Sequence, residues 1–245
     1  MGQMKKFGFV LLVLSASVVE QIEGKGYEKP LNCGHLECAP YTLIHSHPEF
    51  EIRSYSKAMW VATPPISSIN RTHSLCVRSM KKVIYIYLLF HINHPHSISN
   101  SDLFSMVRLF AYIRGNNDAA VKMNMTAPVL VNIHPRTEHL QNSTYVVHFY
   151  VPQKFQRNPP LSAEAQPVEL PQHKYAAVRR FGGFMDDSNI SVQLSALKKS
   201  LKGTGRDKSS ASIQHSGRFL LYSAAGYNSP FEHENRVNEV MLWFD

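Results

Sequence analysis

The chain has 245 residues, 44% of them hydrophobic and 18% charged, which suits one large domain or two small ones and excludes an intrinsically disordered chain. Its formal net charge is +8, yet lysine and arginine are dispersed, with no run longer than two and no interleaved aromatic residues, so a nucleic-acid-binding stripe is not expected. No G-x-S-x-G, C-x-x-C, P-loop or G-x-G-x-x-G motif occurs, which leaves the common hydrolase, thiol-redox and nucleotide-binding classes without a signature.

The N-terminus reads as an export signal. Lys5 and Lys6 precede an apolar run from Phe7 to Val19, with Ser15, Ala16 and Ser17 as small residues near a cleavage site. The run is too short to span a bilayer, so residues 1–23 are expected to be removed, leaving no transmembrane segment. The destination is the secretory pathway: outside the cell, or an endomembrane or vacuolar lumen. Residues 24–40 form a leader to a domain at 41–245. Export permits disulfides, and Cys33 and Cys38 are the natural pair, with Cys76 left odd. Sequons at Asn70, Asn142 and Asn189 are candidate glycosylation sites; a fourth, at Asn124, is expected inside a strand and unmodified.

Strands are expected at Tyr41–Ile44, Phe50–Tyr55 and Met59–Thr63, the last stopped by Pro64-Pro65. Leu103–Arg114 has helical period, with Leu103, Met106, Val107, Phe110 and Ile113 on one stripe and Gly115 as the stop. Tyr145–Val151 is a strand closed by Pro152. Pro159-Pro160, Pro167 and Pro171 read as a central linker. A strand at Lys174–Phe181 leads to a second helix, with Ile190, Leu194, Leu197 and Leu201 in register and Asp186, Asp187 and Ser188 at its start. Strands at Phe219–Tyr227 and Glu239–Phe244 complete the chain.

The two halves echo each other. Each runs strand, helix, strand, strand. Met125-Thr126-Ala127-Pro128-Val129 in the first half stands against Tyr227-Asn228-Ser229-Pro230-Phe231 in the second. One such unit cannot cover its own apolar face, so the two are expected to join their strands into one sheet or barrel under both helices, an α+β fold.

The same landmarks carry a resemblance. Glu37-Cys38-Ala39-Pro40-Tyr41, Phe50-Glu51-Ile52-Arg53-Ser54-Tyr55, Arg108 to Asn117, Lys122 to Val129, His148 to Pro152, Ala177 to Phe184, Gly226 to Phe231 and Arg236 to Val240 resemble the SOUL haem-binding family, in particular its exported plant members. The resemblance implies a distorted eight-stranded antiparallel barrel flanked by two helices, with pseudo-twofold symmetry. It implies reversible binding of haem or a related tetrapyrrole in an apolar cleft beside the first helix, for carriage, buffering or sensing, without catalysis. The basic balance suits the ligand's carboxylates. Register places Leu103, Val107 and Ala111 along that cleft. A relative has a histidine proposed as axial ligand directly after the arginine of the Glu51-Ile52-Arg53 strand; here that position is Ser54. Residues 70–102 depart from the family as an atypical insertion. They read either as an inserted strand or as translated intron, and we favour the second.

Two rival readings come from the residues themselves. His45-Ser46-His47 followed by Glu51 gives H-x-H-x3-E, which on a strand would place two imidazoles on one face, as a cupin-like metal enzyme requires. The flanking glycines and the second cupin motif are missing, and Pro48 interrupts the strand. His91, His94 and His96 cluster inside the insertion and read as surface residues. The other rival is an interaction module without ligand. Arg53, Arg180 and Arg236 are expected to pair with Glu51, Glu234 or Glu239. No protein partner is indicated.

Overall fold

A computed structural model describes residues 33–67, 101–134, 143–202, 221–229 and 232–245. The signal segment, most of the leader and residues 70–100 of the 70–102 insertion, with Cys76 and its histidines, lie outside the described residues, as do Asn70 and Asn142.

β1 (Glu37–Cys38) is short. β2 (Tyr41–His47) and β3 (Phe50–Tyr55) form a hairpin with a bulge between Leu43 and His45. β4 (Ala58–Ala62) and β5 (Ile66–Ser67) flank the proline pair. α1 (Ser101–Ile113) ends before Gly115, whose φ of +107° a side chain would resist. β6 (Thr126–Ala127) and β7 (Val129–His134) follow. β8 (Thr144–Tyr150) stops just ahead of Pro152. The second half contains β9 (Gln166–Leu170), β10 (Tyr175–Phe181), α2 (Asp187–Leu201), β11 (Tyr222–Gly226) and β12 (Asn238–Phe244).

One antiparallel sheet runs in the order β2-β3-β10-β12-β11-β7-β8-β4-β9, with β5 attached to β8; β1 and β6 make a separate parallel pair. The path from β3 to β9 reads the same from both ends once β3 is matched with β9, β4 with β10, β7 with β11 and β8 with β12. The internal repeat is therefore real, and its axis passes between β7 and β11. Each half lends one strand to the other: β3 pairs with β10, and β9 with β4.

Several expectations need correction. The sheet is not closed into an eight-stranded barrel; β2 and β9 are its two open edges. The proline-rich central linker is in part β9. An edge strand is paired on one side only, so it tolerates Pro167, which sits opposite Val61. The two proline landmarks are not equivalent, because the first precedes β7 whereas the second follows β11. Asn124 lies in an exposed loop ahead of β6.

Alternation along the strands gives the sheet two apolar faces. Ile52, Val61, Val131, Val147, Phe149, Ala177 and Leu242 meet the helices in the main core. On α2 the expected stripe holds, with Ile190, Leu197 and Leu201 buried, and the Asp186 carboxylate accepts the Asn189 N–H at 2.9 Å as N-cap. Each leucine so buried contributes about 1.5–3 kcal/mol. On α1 the stripe is rotated from the expected one. Leu109 and Tyr112 are fully buried, and Ile113 joins them. Val107 and Phe110 only flank this core, with Phe110 edge-on to Phe149 at 5.3 Å between ring centroids. Tyr112 fits inside because its hydroxyl donates to the Pro160 carbonyl at 2.7 Å. Among the described residues, no helix is long and apolar enough to cross a membrane.

Candidate functional site

The face of the sheet turned away from the helices carries a second apolar cluster built on Trp60, Leu130, Leu170, Val178, Met241 and Trp243. An open cavity of about 480 Å³ lies over this cluster. That volume lies within the roughly 300–1,000 Å³ typical of small-molecule sites. Strand parity explains the lining. Trp60 and Ala62 of β4, Leu130, Asn132 and His134 of β7, and Val146 and His148 of β8 alternate onto this side. Their sequence neighbours Val61, Val131, Val147 and Phe149 go to the helix side.

Few polar groups point into the cavity. The Trp243 indole N–H donates to Ser223 Oγ at 2.7 Å, and Ser223 Oγ donates to Asn132 Oδ1 at 2.6 Å, so the Trp243 ring is fixed as part of the wall. His148 is 3% exposed, between Ala62 on one neighbouring strand and Leu130 on the other. Its Nδ1 is buried and has no hydrogen-bond partner among the described residues. Burial pushes its pKa down to about 4, and nearby His134 adds to the effect, so the ring is neutral at physiological pH.

One end of the cavity is polar and rigid. Tyr41, Tyr55 and Tyr227 line it. Behind them the Arg53 guanidinium grips the Glu239 carboxylate, at 3.0 Å from Nη1 and 2.7 Å from Nη2. Arg53 Nε also donates to Glu51 at 2.7 Å, its Nη1 donates to the Tyr55 hydroxyl at 3.2 Å, and its charge sits 4.2 Å from the Tyr41 ring centroid. The Tyr227 hydroxyl donates to Glu239 at 2.7 Å. Burial would weaken the Arg53 charge, but Tyr55 and Glu239 hold its pKa above the ordinary value. Burial likewise pushes the hydroxyls of Tyr41, Tyr55 and Tyr227 up, keeping them protonated. The expected arginine–glutamate pairing thus holds for Arg53, and Arg180 Nε lies 3.5 Å from Glu239. It fails for Arg236, which donates instead to the carbonyls of Ser229 and Glu232.

The residues singled out from the sequence are scattered. Val107 and Ala111 are half-buried on α1, on the other side of the sheet from the cavity, and the Leu103 side chain lies outside the described residues. Cys33 and Cys38 form a disulfide with a Cα separation of 6.1 Å and border the cavity. Asn189 sits in the first turn of α2, where its side-chain amide donates to the Phe184 carbonyl. His45 and His47 both face Phe50, with His47 stacked on it at 4.7 Å. Glu51 alternates to the opposite face and is held by Arg53. The H-x-H-x3-E residues are therefore not brought together, and no group of three metal-ligating side chains occurs among the described residues.

The sequence reading missed His148, the two tryptophans and the Arg53–Glu239 end as parts of one site. The available signal was a lone histidine inside the otherwise apolar and aromatic Thr144–Tyr150 strand.

Known proteins resemble this chain along most of its length. "Heme-binding protein 2" of Mus musculus is 27% identical over 205 residues, covering 83% of this chain and 82% of that protein. "Heme-binding protein 2" of Homo sapiens is 29% identical over 194 residues, covering 79% and 77%. "Heme-binding protein 1" of Mus musculus is 29% identical over 140 residues, covering 56% and 68%. A solved hydrolase from Listeria innocua superposes with a TM-score of 0.43 at 6% identity, over 82% of this chain and 94% of that one. The family described as "SOUL heme-binding protein" matches residues 36–243, from just ahead of β1 to within β12, and the chain belongs to that family.

Proposed function

We propose that this protein binds haem or a related tetrapyrrole reversibly and without catalysis, in the cavity walled by Trp60, Leu130, Met241 and Trp243. The observation that carries this reading is the apolar volume of about 480 Å³ on the face of the sheet away from the helices. A flat apolar macrocycle gains from burial against such walls. His134 and His173 border the same cavity; no lysine or arginine does among the described residues. The names of the relatives favour haem among flat ligands. The role would be carriage, buffering or sensing. The Cys33–Cys38 disulfide favours an oxidising compartment, in keeping with an exported protein of the secretory pathway.

A second location is the cleft beside α1 that the family resemblance implies, with Leu103, Val107 and Ala111 along it. Hemin titration of two variants separates the two. Ala62→Trp fills the cavity beside His148 and is expected to abolish a saturable Soret shift, whereas Ala111→Trp leaves it. The reverse pattern moves the ligand to α1. Absence of any saturable shift in the unmodified protein overturns the haem reading.

A further inference from the structure

We infer that the cavity on the sheet face away from the helices binds an uncharged fused-ring compound, carrying at most a hydroxyl or carbonyl oxygen, in preference to an anionic one. The inference goes beyond the haem reading above and does not rest on it. Trp60 and Trp243 are the chain's two tryptophans, and both line the cavity. Each ring is held in place. Trp60 stands edge-on to Tyr150, and Trp243 edge-on to Tyr55, both at 5.4 Å between centroids. Aromatic walls fixed before binding lose little freedom when a flat ligand packs on them.

The charge around the cavity decides the ligand class. The nearby cations are committed elsewhere. Arg53 is 1% exposed and bonded to Glu51 and Glu239. Lys57 pairs with Glu169 at 3.0 Å, and Lys174 Nζ lies 5.2 Å from the Tyr175 ring centroid. Glu169 itself borders the cavity. Burial lowers the pKa of His134 and His148, so neither ring supplies a positive charge at neutral pH. An anion entering here would shed its water and meet a carboxylate rather than a counter-charge. A tetrapyrrole in this cavity has to leave its carboxylates at the open mouth, whereas an uncharged ring compound can be buried whole. One neutral donor remains for it. Ser223 Oγ accepts from the Trp243 indole, so its own proton goes to Asn132 Oδ1. That order fixes the amide of Asn132, which lines the cavity, and leaves its Nδ2 N–H groups to donate to a hydroxyl or carbonyl oxygen.

The test titrates the protein with 1-pyrenemethanol, which is uncharged, and with 1-pyrenecarboxylate, which has the same ring system and is ionised at neutral pH. Energy transfer from Trp60 and Trp243 to pyrene reads the binding. The expected result is saturable binding of pyrenemethanol, with the carboxylate weaker by about tenfold or more. Val168 lines the cavity on the edge strand β9, opposite Trp60. Val168→Lys places a cation on that wall and should narrow or reverse the preference. Pyrenecarboxylate binding as tightly as pyrenemethanol, or no saturable binding of pyrenemethanol, overturns the inference. A preference unchanged in folded Val168→Lys also overturns it, because the ligand then lies elsewhere. Should Val168→Lys not fold, Gln166→Lys on the same wall takes its place, with the same outcomes.

Discussion

Arg53 of β3 and Glu239 of β12 meet through two parallel hydrogen bonds of 3.0 and 2.7 Å, with side chains 1% and 0% exposed. The two strands are not neighbours; β10 lies between them. The pair therefore ties β3, one of the strands exchanged between halves, across β10 to β12. It also holds up the tyrosines at the polar end of the cavity.

Removing one partner should be far worse than removing both. Glu239→Ala leaves the buried guanidinium without its main counter-charge, and the expected loss is about 3–5 kcal/mol. Replacing both, as Arg53→Met with Glu239→Leu, should recover a large part of that loss. Urea denaturation of the three variants checks this. A Glu239→Ala midpoint equal to that of the unmodified protein contradicts it.

His148 should make stability depend on pH in a defined window. Its ordinary pKa is 6.5, and burial, aided by His134, lowers it to about 4 in the fold. Between these values the unfolded chain takes up a proton that the folded chain refuses. The contribution is thus complete above about pH 6.5 and is lost as the pH falls towards 4, by up to about 3 kcal/mol. Denaturation curves of the unmodified protein and His148→Gln at stepped pH should converge on acidification. Parallel curves across that window contradict the burial argument.

The Cys33–Cys38 bridge should support both the fold and the site. It closes a loop with a sequence separation of 5, and such a short loop is worth about 2 kcal/mol through the unfolded chain. Both cysteines also border the cavity and pack with Ala127 and Tyr227. Reduction should lower the thermal midpoint and weaken porphyrin binding together, as measured by melting and titration with and without dithiothreitol. A stability loss with unchanged binding would place the ligand elsewhere.

Much of the fold was legible because local patterns agreed with it. Ile190, Leu194, Leu197 and Leu201 fall at helical spacing and are the face that α2 turns to the core. The alternation of Phe50 and Ile52 with Glu51 and Arg53 survives in β3. β9 was hidden because Pro167 and Pro171 suggest a linker, and only the neighbouring strand β4 reveals an edge on which a missing N–H does no harm. On α1, period alone could not tell that Leu109 and Tyr112, rather than Val107, face inward, because Tyr112 depends on a carbonyl 48 positions away.

The sequence by itself determined the α+β class, the doubled architecture, the Cys33–Cys38 pairing and the family. Each follows from the order and spacing of residues, or from two cysteines close along the chain. Only the tertiary structure decided which face of each strand lines the cavity. Alternation says that His148 and Trp60 point away from Val147 and Val61, but not which side the helices cover. That choice depends on pairing between distant strands, and it places His148 on the cavity side, opposite Ala62 of β4.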